Sequence, residues 1–120
     1  MNQLSRFFVI GANHRCASVA LREKIAFSRE GGRLALDFFR ETDFLAEAAI
    51  LSTCNRVEIY GMSDRMDAIE AEMIAFMSRF HGLREKDFRG RTYFYSGQEA
   101  VRHLFRVAGG LDSMIVGENE

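Results

Sequence analysis

Two short β-prone runs, Ala48 to Ser52 and Val57 to Gly61, lie only four residues apart, and together they leave this chain little choice of local architecture. The first is apolar almost throughout and reads as a buried strand. The second alternates apolar Val57 and Ile59 with Glu58 and Tyr60, the period of a half-buried strand. Thr53-Cys54-Asn55-Arg56 fills the gap, which places a cysteine at the tip or end of a paired strand.

The remaining segments can be arranged around that pair. Phe7 to Asn13 is apolar and β-prone and runs into a polar turn at His14 to Ser18. A short helix is expected over Val19 to Phe27. Ser28 can cap a second helix, with Leu34, Phe38 and the neighbouring Leu36 and Phe39 as its apolar face, ending at the acidic break Glu41 to Asp43. Ser63 or Asp64 can cap a long helix in which Met66, Ile69, Met73, Met77 and Phe80 recur at helical spacing, with Gly82 as its stop. Flexible thioethers fill cores well, so this methionine stripe reads as packing. Thr92 to Tyr95 makes a short aromatic strand. Ser96-Gly97-Gln98-Glu99 has the spacing of a capping box, opening a helix that turns Val101, Leu104, Phe105 and Ala108 inward and ends at Gly109-Gly110. This order predicts an α+β sandwich of ferredoxin-like type, a mostly antiparallel sheet with helices packed on one face.

A chain of 120 residues, 48% hydrophobic and 28% charged, fits one globular domain over residues 1–120. It contains no proline and no low-complexity stretch, so no internal linker is expected. The N-terminus lacks a signal-peptide pattern and no run approaches a membrane span. Two cysteines without secretory features point to a reduced, cytoplasmic setting. A net charge of −1 argues against broad, sequence-blind polyanion binding. Any RNA contact must be local, through Arg15, Arg22 and Lys24 or through Arg84, Lys86, Arg89 and Arg91, unless these are simply solvated surface charges.

Cys54 is the residue most suggestive of chemistry. A thiolate nucleophile needs access and nearby positive charge or amide donors. Arg56 lies two positions on, and an extended backbone would put both side chains on one face, where a guanidinium could hold a substrate carboxylate bidentately. Ser52, Thr53 and Asn55 add donors for an oxyanion or amino group. An inert thiol is the alternative. His103 shares a polar helix face with Glu99, Arg102 and Arg106, opposite Val101 and Leu104, a face that is either solvated or the site of a general acid or base. His14 is equally open. Cys16 reads as structural. The cysteines and histidines show no metal-ligand spacing, and no glycine-rich phosphate loop is present.

Three strings resemble the glutamyl-tRNA reductase family, in the family's order. They are Gly11-Ala12-Asn13-His14 leading to Leu21-Arg22-Glu23-Lys24; Leu51-Ser52-Thr53-Cys54-Asn55-Arg56-Val57-Glu58-Ile59-Tyr60; and His103 through Met114. The resemblance implies the N-terminal catalytic domain of an enzyme that reduces glutamyl-tRNA with NADPH to glutamate-1-semialdehyde, the first committed step of tetrapyrrole and heme synthesis from glutamate. It implies that Cys54 attacks the aminoacyl ester and forms a thioester, whose carbonyl accepts hydride better than a carboxylate does. Thr53, Asn55 and Arg56 would line the glutamate pocket, with Arg56 on the substrate's side-chain carboxylate. Ser113, Glu118, Asn119 and Glu120 would also meet substrate, and His103 would serve in proton transfer or positioning. The NADPH-binding and helical dimerisation domains of the family would lie outside this chain, which alone would bind no NADPH. The resemblance further implies a homodimer and handover to glutamate-1-semialdehyde aminotransferase. The sequence departs from the family pattern at Cys16 and Ser18, where threonine and proline are usual, and at Glu120, where glutamine is common.

Two other classes compete with this reading. One is a module that binds aminoacyl-tRNA or a regulatory partner without chemistry, for which the thiol would have no use. The other is a small cysteine hydrolase pairing Cys54 with His14 or His103.

Overall fold

The computed structural model describes the backbone of residues 3–119 and the side chains of residues 3–110. Strand β1 (Phe7–Asn13) is followed by helices α1 (Val19–Ile25) and α2 (Arg29–Arg40), strands β2 (Glu47–Ser52) and β3 (Arg56–Met62), helix α3 (Ile69–His81), strand β4 (Tyr93–Ser96) and helix α4 (Gln98–Asn119). The four strands lie in the order β2-β3-β1-β4, and every neighbouring pair is antiparallel. Order and directions are those of the ferredoxin-like fold, with two helices in the first crossover instead of one.

The main core lies between the sheet and helices α1, α2 and α3. Phe8, Ile10, Ala12, Val57 and Ile59 point from the strands toward Ile25, Ala35, Phe39, Ile69, Met73 and Met77. The methionine stripe is therefore core, as its period implies. The opposite face of the sheet carries Val9, Tyr60, Tyr93 and Tyr95, and the first turns of α4 lie against it through Ala100 and His103. This second layer makes the functional site.

Local signals placed several boundaries well. Ser28 caps α2, its hydroxyl accepting from the Gly31 amide at 2.9 Å, and Ser18 does the same for α1 through the Leu21 amide. Gly82 ends α3 at φ 67°, with its N–H on the Ser78 carbonyl.

Elsewhere the pattern misleads. On α2 the buried residues are Ala35 and Phe39, while Leu34 and Phe38 are exposed, Phe38 stacking on Phe76 at the rim of the core. β2 is an edge strand and is only half buried. α3 starts at Ile69 behind Ala68, with no side-chain cap, because the Ser63 hydroxyl is buried and donates to the Phe44 carbonyl at 2.5 Å. No capping box forms at α4. Gly97, at φ 60°, makes the joint, its carbonyl accepts from Ala100 and Val101, and Glu99 pairs with Arg102. α4 also continues through Gly109-Gly110, whose backbone stays right-handed; a glycine stops a helix only where it turns left-handed. Its inward face is Ala100, His103 and Val107. Leu104 and Phe105, expected inside, are exposed.

Candidate active site

The β2–β3 hairpin carries Cys54 and Asn55 at its tip, between Thr53 and Arg56. The Thr53 N–H donates to the Arg56 carbonyl at 2.8 Å. Neither tip residue has a positive φ, so the turn is not one of the primed types that suit a two-residue hairpin loop. The Thr53 hydroxyl compensates by accepting from the amides of Asn55 and Arg56, each at 3.2 Å. Two ties from outside anchor the turn. The Phe27 amide donates to the Ser52 hydroxyl at 3.0 Å, and the buried guanidinium of Arg22 donates from Nε to the Cys54 carbonyl at 3.4 Å and from Nη1 to the Ala17 carbonyl at 2.6 Å. Cys54 is a free, exposed thiol. Cys16 is half-buried and held by the Asn13 amide at 3.4 Å, in keeping with a structural role.

Because Cys54 sits in the turn and not in extended chain, strand alternation does not relate it to Arg56. Arg56 opens β3 on the face covered by α4, where its Nη1 lies 3.3 Å from Glu58 Oε2. Glu58 was expected on a solvated face; it is wholly buried, because α4 lies over that face. Its carboxylate also accepts from Tyr60 Oη at 2.6 Å, from Tyr93 Oη and from His103 Nε2. Burial alone would push the Glu58 carboxyl up. The hydrogen bonds from Tyr60, Tyr93 and His103, with the histidine's charge, outweigh it and hold the group below the ordinary carboxylate value. Both tyrosines move the other way, upward, by burial and by donating to that carboxylate. Gly11 makes room for the cluster: a Cβ there would lie 2.7 Å from Glu58 Cγ and 2.5 Å from the Val57 carbonyl oxygen.

His103 is therefore buried, not on a solvated helix face, and its ring lies 5.1 Å from those of both Tyr93 and Tyr95. Its hydrogen-bond partner is Glu58 rather than Cys54, and among the described residues no hydrogen bond joins Cys54 to a histidine.

Two adjoining cavities flank the hairpin tip. The larger, about 470 Å³, is lined by Asn13, His14, Arg15 and Cys16 on one side and by Arg56, Tyr93, Tyr95, His103 and Arg106 on the other. The smaller, about 410 Å³, is lined by His14, Thr53, Asn55, Arg56 and Arg106 with Val107 and Gly110. Among the described residues no carboxylate lines either one, so this part of the cleft is cationic and suits an anionic ligand. Arg56 lines both, with its side chain 22% exposed; one guanidinium nitrogen is bound to Glu58 and further donors are left over. Cys54 lies at the edge, between its neighbours Thr53 and Asn55.

The sequence-predicted substrate residues thus divide. Thr53, Asn55, Arg56 and His103 share the cleft. The side chains of Ser113, Glu118 and Asn119, and residue Glu120 entirely, lie outside the described residues. Of the basic patches, Arg15 lines the larger cavity and Arg22 is buried; Arg84 and Arg89 pair with Asp87 and Glu85, as ordinary surface charges do. Sequence reasoning passed over Glu58, Tyr93 and the true place of Arg22. The available signal was a charged residue inside a strand opposite a glycine, a pairing that fits a buried side chain needing space. Among the described residues no group of histidines, cysteines and acids could hold a metal ion, and no helix is long and apolar enough to cross a membrane.

The family described as "Glutamyl-tRNAGlu reductase, N-terminal domain" matches residues 10–120. A glutamyl-tRNA reductase of Thermodesulfovibrio yellowstonii is 48% identical over 117 residues, covering 92% of this chain and 27% of the relative. One from Shewanella baltica is 48% identical over 109 residues, covering 91% and 25%. The solved structure of glutamyl-tRNA reductase from Methanopyrus kandleri superposes with a TM-score of 0.62 at 34% identity, covering 94% of this chain and 24% of that one. The chain therefore spans about a quarter of the length of these relatives.

Proposed function

Because the chain belongs to the glutamyl-tRNA reductase family, as its N-terminal domain, we propose that it is the acyl-transfer part of an NADPH-dependent reductase acting on glutamyl-tRNA in tetrapyrrole synthesis. The observation that carries this reading is an exposed cysteine on an anchored hairpin tip at the edge of a cleft whose described walls carry arginines and no carboxylate.

Cys54 is the nucleophile. Its sulfur adds to the ester carbonyl of the glutamyl group, a C–S bond forms, and the C–O bond to the terminal ribose breaks. The proton given up by the thiol ends on the released ribose hydroxyl, and a glutamyl thioester remains on Cys54. Arg56 binds the side-chain carboxylate with the donors that Glu58 leaves free, a contact that selects glutamyl over uncharged aminoacyl groups. Thr53 and Asn55 hold the ester and amino groups beside the sulfur. His103, with Nε2–H given to Glu58, acts by positioning, because it braces the carboxylate that holds Arg56. Ser113, Glu118, Asn119 and Glu120 complete the substrate contacts.

The antiparallel sheet described here has no glycine-rich strand-to-helix turn of the kind that cradles a dinucleotide, so the residues present do not fit NADPH and no step through it is assigned to them. In the whole protein that cofactor supplies hydride from a separate unit. A homodimer, a cytoplasmic location and handover of the aldehyde to an aminotransferase are part of the same proposal.

Intact-mass analysis after brief incubation with glutamyl-tRNA tests it. A glutamyl adduct on the parent protein, absent from Cys54→Ser, is the expected result. Retained tRNA binding with no adduct in the whole protein would overturn it in favour of a binding module.

A further inference from the structure

We infer that Arg22 is a positioning residue for the Cys54 turn, holding the nucleophile against the cleft through its own main-chain carbonyl. The inference rests on the acyl-transfer reading and goes beyond it. Arg22 is 8% exposed, and among the described residues its hydrogen bonds go to two main-chain carbonyls and its guanidinium has no ion-pair partner. Taking a guanidinium out of water without a counter-charge is costly, so packing alone gives no reason for arginine here.

What the geometry provides is a bridge between two loops. Arg22 Nη1 binds the carbonyl of Ala17, at the end of the loop whose His14, Arg15 and Cys16 form one wall of the larger cavity. Arg22 Nε binds the carbonyl of Cys54, 32 residues away in sequence, on the turn whose Thr53 and Asn55 line the smaller one. The planar fork of a guanidinium can serve both acceptors at once, which a single ammonium or amide does less well. The turn benefits from this support: it lacks a primed conformation, and besides Arg22 it is held by the Thr53 N–H on the Arg56 carbonyl, by the Thr53 hydroxyl and by the Phe27 amide on Ser52.

Displacing a reacting group by about 1 Å can lower a rate about a hundredfold without weakening binding. The test uses the whole protein with Arg22→Met, Arg22→Gln and Arg22→Lys, checked for native circular dichroism and thermal unfolding. Single-turnover acylation of Cys54 is then followed by intact mass across a range of glutamyl-tRNA concentrations. The expected result is a maximal acylation rate lower by about 30- to 100-fold in Arg22→Met, half-saturation within about threefold of the parent, and partial recovery of rate in Arg22→Lys. Should Arg22→Met fail to fold, Arg22→Gln and Arg22→Lys carry the comparison. Folded Arg22→Met or Arg22→Gln acylating within about threefold of the parent would overturn the inference and leave the acyl-transfer reading intact. So would a raised half-saturation at unchanged rate, which would make Arg22 a ligand contact. A parent protein that forms no adduct would remove both.

Discussion

Replacing Glu58 with glutamine removes one charge from a site where four donors converge. The amide oxygen can take the place of Oε2 and still accept from Tyr93, His103 and Arg56, while the amide nitrogen meets the Tyr60 hydroxyl, which can rotate to accept. What is lost is charge assistance. A hydrogen bond to a charged group contributes about 1.5–3 kcal/mol against roughly 1 for a neutral one. Tyr93 and His103 then account for about 1–4 kcal/mol. Arg56 adds at most about 1, since its side chain is partly solvated and 3.3 Å away. The sum is about 1–5 kcal/mol, read by urea unfolding under circular dichroism at pH 7, or roughly 4–20 °C in Tm at about 4 °C per kcal/mol. The gap carries a pH signature. The folded carboxyl sits below its unfolded value, so its contribution is full above the ordinary carboxylate value and fades as pH falls through the folded one. The parent's advantage over Glu58→Gln should therefore be constant from pH 7 to about 5 and shrink below that. A gap under about 0.5 kcal/mol at pH 7, or one unchanged down to the acid limit of folding, would refute the account of Glu58 as a charge held by its donors.

Other perturbations follow from the same geometry. Gly11→Ala forces a methyl to within 2.5 Å of the Val57 carbonyl oxygen and 2.7 Å of Glu58 Cγ, and should cost about 1–3 kcal/mol in urea unfolding, with a disturbed His103 ring signal by NMR; an unchanged midpoint would mean that the strands can part there freely. His81 lies edge-on to Phe27 and Phe80, and burial holds its pKa below the ordinary histidine value. The unfolded chain therefore takes up the proton first, and stability is lost as pH falls below about 6.5; His81→Leu should flatten the unfolding midpoint between pH 7 and 5.5, and an equally steep profile in the variant would place the titration elsewhere. Ser28→Ala removes the α2 cap and should lower stability by about 1 kcal/mol, with Ser28→Asp retaining most of it; equal loss in both would deny the cap.

How far the chain could be read from its residues alone depended on how local each cause was. The hairpin around Cys54, the serine cap at α2 and the stop at Gly82 were legible because each is decided within a few residues, by turn length, by an orphan amide or by a missing Cβ. The antiparallel ferredoxin-like sheet followed from the order of those pieces, and the strings around Cys54 and His103 were specific enough to point to a family. The interior of the site was not legible. A strand reading Val-Glu-Ile-Tyr implies one dry and one wet face, and that holds only while the second face stays uncovered. In the folded chain α4 lies across it, so Glu58 and Tyr60 are buried, His103 turns inward, and the apolar face expected on α4 shifts until Phe105 is left in solvent. Arg22 changed in the same way, from a surface charge to a buried link between two loops distant in sequence. Periodicity marks which residues share a face, but whether that face meets water, a helix or a charge depends on contacts between segments tens of residues apart, and these exist only once the chain has closed on itself.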